Sequence, residues 1–335
     1  MRSKFPGYYK PTEKEFEKLW QKGLFVLDTN VLLDLFRYSD EAVESLIETI
    51  TALKERIWIP YQVSLEYHRK LNDVIGAQIS SYKKTIDTLE DFKKQLDAKR
   101  SHPFLDKKLH EEIQAFCLKF DDELIKKRDK VELLITENPI KEKIAELLDD
   151  RVGEIFDQKQ LDDICSAGEK RYELRQPPGY MDCKDKKGLE RYGDLIIWKE
   201  ILQKSKKEKL NVILITGDVK EDWFLKHTGK TIGPRPELVQ EFRDETNNLF
   251  YMYATNQFLK LSNKYLDQDI KDEFINEVKN VLSFELENSK TSNTSNEGFN
   301  DSNSTLDLMN NSHSDKNSSH IEISKIDNNL SGSTF

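Results

Sequence analysis

The chain of 335 residues is poor in cysteine. Cys117, Cys165 and Cys183 stand far apart, with no Cys-x-x-Cys pair. That excludes a disulfide framework and a thiolate zinc site and points to a reducing compartment. Positive charge is also short: 52 lysines and arginines face 61 aspartates and glutamates, for a formal net charge of -9. Bulk charge therefore cannot hold a polyanion or an anionic membrane, and only a local basic groove could. No apolar run approaches the roughly 20 residues that span a bilayer, and the opening Met-Arg-Ser-Lys-Phe-Pro-Gly lacks the apolar segment of a secretion signal. A cytoplasmic protein without membrane contact is expected. Internal repeats are absent, as is a Gly-x-x-x-x-Gly-Lys-[Ser/Thr] phosphate loop.

What is present is an alternation of short apolar runs with helical periodicity. Leu24-Phe25-Val26-Leu27 reads as a buried strand, and Asp28-Thr29-Asn30 then opens a helix through Val31, Leu32, Leu35 and Phe36. Ile57-Trp58-Ile59 is a second strand, closed by Pro60 and followed by a helix carrying Val63, Leu65, Glu66 and Tyr67. Gly193-Asp194 starts another helix, Val212 to Thr216 is a strand ending at Gly217-Asp218, and Leu249 to Tyr253 is a further strand. The alternation predicts an α/β fold with a central parallel sheet covered on both faces.

Between residues 75 and 162 the period changes to three and four with no strand-like run. Ile79, Tyr82, Ile86, Leu89 and Leu96 form one stripe; Ile113, Cys117, Phe120, Leu124, Val131 and Leu134 form another. With a turn at Ser101-His102-Pro103 between them, the pattern predicts a long coiled-coil-like helical hairpin, suited to a homodimer contact or a partner protein. From 288 onward Ser and Asn dominate, which predicts a disordered tail. The expected division is 1–74, the insert 75–162, a second part of the α/β domain over 163–287, and the tail 288–335.

Four acidic residues are placed for chemistry. Asp28 and Asp218 follow strands, and Glu66 and Asp194 lie near the starts of helices, so all four are expected at the carboxyl edge of the sheet. Like charges so gathered need a counter-ion, and an all-oxygen set suits Mg2+ or Mn2+ rather than zinc. Asp222, one helical turn beyond Asp218, could join the ion or support its ligands. Read singly, each acid is equally well explained as a helix cap. Asn30 and Thr216 flank the strand-end aspartates as orienting or substrate-binding groups. Arg69, Arg191, Lys220 and Arg235 lie near the same motifs as a local basic rim for phosphates. Tyr180, Trp198 and Trp223 read mainly as packing groups.

Six segments carry a resemblance. They are Phe-Val-Leu-Asp-Thr-Asn-Val-Leu-Leu-Asp-Leu-Phe-Arg-Tyr (25–38), Ile-Trp-Ile-Pro-Tyr-Gln-Val-Ser-Leu-Glu-Tyr (57–67), Pro-Pro-Gly-Tyr-Met-Asp (177–182), Arg-Tyr-Gly-Asp-Leu-Ile-Ile-Trp (191–198), Ile-Thr-Gly-Asp-Val-Lys-Glu-Asp-Trp-Phe (215–224) and Gly-Pro-Arg-Pro-Glu-Leu (233–238). In this order the chain resembles, over roughly residues 5–265, a PIN-like nuclease domain of the bacterial variety with a large helical insert. The resemblance implies a three-layer α/β/α fold and a metal-dependent nuclease related to the 5′ nucleases, cutting RNA in preference to DNA. It assigns the acidic set to Asp28, Glu66, Asp194 and Asp218, implies products with a 5′ phosphate and a 3′ hydroxyl, and suggests a toxin or phage-defence role. The alternatives are a non-catalytic scaffold that binds nucleic acid or protein, and a phosphohydrolase of small nucleotides.

Overall fold

Four strands without a charged side chain make the central sheet: β1 (Leu24–Leu27), β2 (Ile57–Trp58), β3 (Val212–Thr216) and β6 (Phe250–Ala254), ordered β2-β1-β3-β6. All pairs are parallel, with Phe25 opposite Ile57 and Ile213, and Leu214 opposite Met252. Every residue of β1 and β3 is buried, as expected of strands covered on both faces. From β1 the chain goes to β2 on one side, then crosses to β3 on the other. The carboxyl ends of β1 and β3 therefore flank the point where strand order reverses, the usual place for a ligand crevice in an open α/β sheet. This computed structural model describes residues 1–97, 105–184 and 186–283. The expected turn at Ser101-His102-Pro103 and the Ser/Asn-rich tail lie outside the described residues.

Helices cover both faces. On one side α1 (Glu13–Lys22) and α10 (Thr255–Tyr265) meet at Trp20, which lies against Phe25 and stacks on Phe258 and Tyr265, and α3 (Asp40–Ala52) packs on α10. On the other, α8 (Gly193–Glu208) and α9 (Pro236–Thr246) close over Trp198, set against Phe242 and Phe250. Each buried ring of this size withdraws ~150–250 Å² from water, worth roughly 4–6 kcal/mol at ~25 cal/mol/Å². The short α2 (Thr29–Leu33) leaves β1 directly.

The hairpin is an extension of the domain's own helix. α4 (Tyr61–Leu96) runs unbroken from the sheet into the arm, so the boundary expected at residue 75 falls inside it. α5 (Lys107–Leu133) returns antiparallel, with His110 beside Asp97 and Asp121 beside Lys93. Cys117 and Leu124 of the second stripe are buried; Phe120 is instead 40% exposed and stacks on Phe116. A further helix, α6 (Pro139–Leu148), leads to a bridge in which Val152 pairs with Ile59. There Ile59 N–H donates to Arg151 and Gly153 N–H to Ile59, so the returning chain shields the β2 edge. α7 (Gln158–Glu173) follows. A small antiparallel ribbon, β4 (Phe224–His227) with β5 (Lys230–Pro234), turns at Thr228-Gly229, both at positive φ as a tight hairpin requires. Its strands are buried only at Phe224 and Pro234 and carry no apolar alternation, which is why periodicity does not reveal the ribbon. Among the described residues no helix is long and apolar enough to cross a membrane.

Candidate active site

The two strand-end aspartates share one hydroxyl. Asp28 caps α2, its Oδ1 accepting from Thr29 N–H at 2.7 Å, while Oδ2 accepts from the Thr216 hydroxyl at 2.6 Å. The same hydroxyl accepts from Asp218 N–H at 2.8 Å. Thr216, the last residue of β3, thus ties the end of β1 to the turn after β3, an orienting role rather than a solvent-facing one. Asn30 packs against Gly217, where a Cβ would come within 3.1 Å of the Asn30 Cβ and 3.2 Å of Asp34 Oδ2.

Glu66 and Asp194 arrive from the helices. Glu66, on the second turn of α4, accepts from Gln62 Nε2 at 3.0 Å and pairs with Lys70 at 2.5 Å. A Cβ on Gly193 would stand 2.7 Å from Glu66 Oε1, so Glu66 lies against the residue that begins α8 and precedes Asp194. Asp194 in turn packs against Gly179, where a Cβ would lie 3.1 Å from its own Cβ, and accepts from Trp223 Nε1 at 3.3 Å. Gly179 also sits at φ +89°, so both its backbone and its surroundings demand glycine.

Periodicity does not single out Asp182, yet it stands in this cluster. Its Oδ1 accepts from Lys220 Nζ at 2.6 Å and its Oδ2 from Lys186. Lys220 Nζ also lies 2.9 Å from Asp218 Oδ2, and the Lys220 backbone N–H donates to Asp218 Oδ1 at 3.0 Å. Asp222 is fully buried and accepts from Gly179 N–H and Met181 N–H at 3.0 and 3.1 Å; its other oxygen has no partner. It anchors the loop that brings Asp182 in. The signal for Asp182 was its position closing the Pro-Pro-Gly-Tyr-Met-Asp segment.

Asp218 is the electrostatic hub. Burial raises the Asp28 carboxyl to about 6 against the pull of the Thr216 bond, with Asp218 and then Glu66 adding to the rise. Burial, then Asp218 and Asp182, push Asp194 well above the carboxylate range. Burial disfavours the Lys220 charge, yet Asp218, Asp194 and Asp182 together hold it firmly protonated. The same burial opposes ionisation of Asp182, but Lys220 and Lys186 keep its carboxyl below the usual range.

The donor set suits a hard divalent cation, since every candidate ligand is a carboxylate and two of them are held short of compensating charge. Among the described residues, however, no three His, Cys, Asp or Glu side chains group so as to hold one ion. Both oxygens of Asp28, Glu66 and Asp218 are turned to internal partners.

Of the expected basic rim, only Lys220 enters the cluster. Arg191 lies over the Tyr192 ring and 4.0 Å from Glu169, Arg235 forks onto Glu237, and Arg69 is exposed on α4. Tyr180 lies under Arg175, Trp223 supports Asp194, and Trp198 is core.

A family model described as PIN like domain matches residues 24–238. No curated protein and no solved structure matches the chain. The chain belongs to the PIN-like domain family, whose members are generally nucleases and typically use divalent metals.

Proposed function

Taking membership of the PIN-like family as the premise, we propose that the chain is a divalent-metal-dependent endoribonuclease whose site is the rim around Asp218. The observation that supports this reading is that acidic side chains from four separate stretches lie around the strand-order switch point, near enough that Asp218 adds to the effect of burial on both Asp28 and Asp194. Asp28, Asp194 and Asp218 would hold Mg2+ or Mn2+, which when bound supplies a more acidic water and a counter-charge for phosphate. Glu66, steadied by Gln62, would orient the attacking water or hold a second ion. Thr216 sets the spacing of the two strand-end aspartates, and Asp222 acts through Gly179 and Met181 rather than as a ligand.

The test is a Mg2+ and Mn2+ cleavage panel over single-stranded RNA, duplex RNA, single-stranded DNA and flap DNA. Asp28→Asn and Asp194→Asn should keep the fold and each lower cleavage at least about 100-fold. Full cleavage by both variants would overturn the reading. The internal pairing of the carboxylates favours a second reading, a nucleic-acid-binding module without turnover. Retention of RNA with no cleavage of any substrate in Mn2+ would select it.

A further inference from the structure

The centre of the rim already contains a cation. Lys220 holds Asp218 at both oxygens, Oδ1 through its backbone N–H and Oδ2 through its ammonium, and with the same ammonium reaches Asp182. Asp182 is held from its other side by Lys186. Among the described residues Asp218 and Asp182 form ion pairs with no lysine or arginine besides these two, whereas Asp28 and Asp194 accept hydrogen bonds from neutral donors only: Thr29, Thr216 and Trp223. Of the three carboxylates proposed to hold the metal, Asp28, Asp194 and Asp218, the hub is therefore the one directly paired with a cation of the chain.

We propose that Lys220 is a built-in counter-ion of this site, clamping Asp218 to Asp182 when no divalent ion is bound and yielding Asp218 when one arrives. This rests on the reading that the rim takes a divalent ion. The side chain is equipped to let go in one direction only. Releasing Asp218 costs Lys220 one of two carboxylates, and Asp182, itself anchored by Lys186, retains the ammonium at the rim. Lys220 is 34% exposed, so the released charge faces water, where a phosphate of the nucleic-acid backbone would meet it. Metal and backbone phosphate then bind with mutual support: each draws Lys220 away from Asp218, and coupling of this kind is reciprocal. An ammonium this close to a ligand also opposes a second cation, which keeps the affinity for the bare ion low.

Calorimetric titration of Mn2+ alone into the full chain tests this without any cleavage readout. Lys220→Met, which keeps the length and loses the charge, should bind Mn2+ about 10-fold tighter than the wild type. Its melting temperature should be lower without Mn2+ and should rise more on adding it. Lys220→Gln serves the same comparison should the methionine variant misfold, and Asp182→Asn, which leaves the ammonium to Asp218 alone, should bind Mn2+ more weakly. Wild type that binds Mn2+ as tightly as the Lys220 variants, or tighter, overturns the counter-ion while leaving the metal reading in place. Absence of Mn2+ binding in wild type and variants alike overturns both.

Discussion

One helix, α4, passes through two kinds of surroundings. Near its start Val63, Tyr67, Leu71, Val74 and Ile75 are buried against the domain, and Glu66 pairs with Lys70 with only 17% of its side chain exposed. Farther along, Ile86 is the buried residue, and Lys94 pairs with Asp91 at similar spacing with 72% and 70% exposure. Both pairs set a carboxylate one helical turn before a lysine; what differs most is access of water. Exposed pairs on the arm are worth little, since entropy and screening consume the Coulomb gain. At the domain end the carboxylate is largely withheld from water while Lys70 stays 48% exposed, and where both partners are buried, breaking the pair strands a charge.

The largest expected effect tests that contrast at the buried end. Glu241 on α9 accepts from Arg171 and Lys199 through Oε1, and from Arg171 and Trp198 through Oε2. Glu241→Ala should destabilise the fold by about 3–5 kcal/mol in urea titrations. A loss no larger than that of an exposed pair would erase the distinction.

A smaller effect comes from Glu200 on α8, which accepts from the Gln62 N–H at the start of α4. Burial, against the pull of the Gln62 and Tyr61 amides, raises this carboxyl from 4.5 to about 8. Between those values the folded chain binds more protons than the unfolded one, so stability is greatest at the acid end and falls as pH rises towards 8. Glu200→Gln should remove a slope of up to about 1.4 kcal/mol per pH unit, a few kcal/mol over the whole window, from a pH series of unfolding free energies. An unchanged slope would show that the carboxyl is solvated after all.

The smallest effect belongs to the arm. Leu118 is exposed on α5, and Leu118→Ala should shift stability by no more than ~0.5 kcal/mol in differential scanning calorimetry. A core-sized loss would mean that the arm is covered in solution.

The placement of the candidate site was legible where an acid follows a strand. Leu24–Leu27 before Asp28, and Val212–Thr216 before Gly217-Asp218, announce both the strand and the edge at which each acid emerges. The sheet's parallel character followed from the same alternation. What pattern could not reach was pairing across distance. Lys220 meets Asp182 38 positions away, and Glu241 meets Arg171 70 away. Such partners are chosen by the packing of elements, and no local period encodes them. The return of Val152 to the β2 edge escaped for the same reason.

The unbroken run of α4 has a mechanical consequence. Its 36 residues make a rod of about 54 Å, with Glu66 about 8 Å from the seated end. Burial of Val63 to Ile75 holds the seated stretch, so the arm swings about a point near Ile75 and its sideways sway is largely spent before Glu66. Rotation of the rod about its own axis has no such reduction and reaches the carboxylate in full. The arm thus filters what it transmits, damping bending and passing torsion.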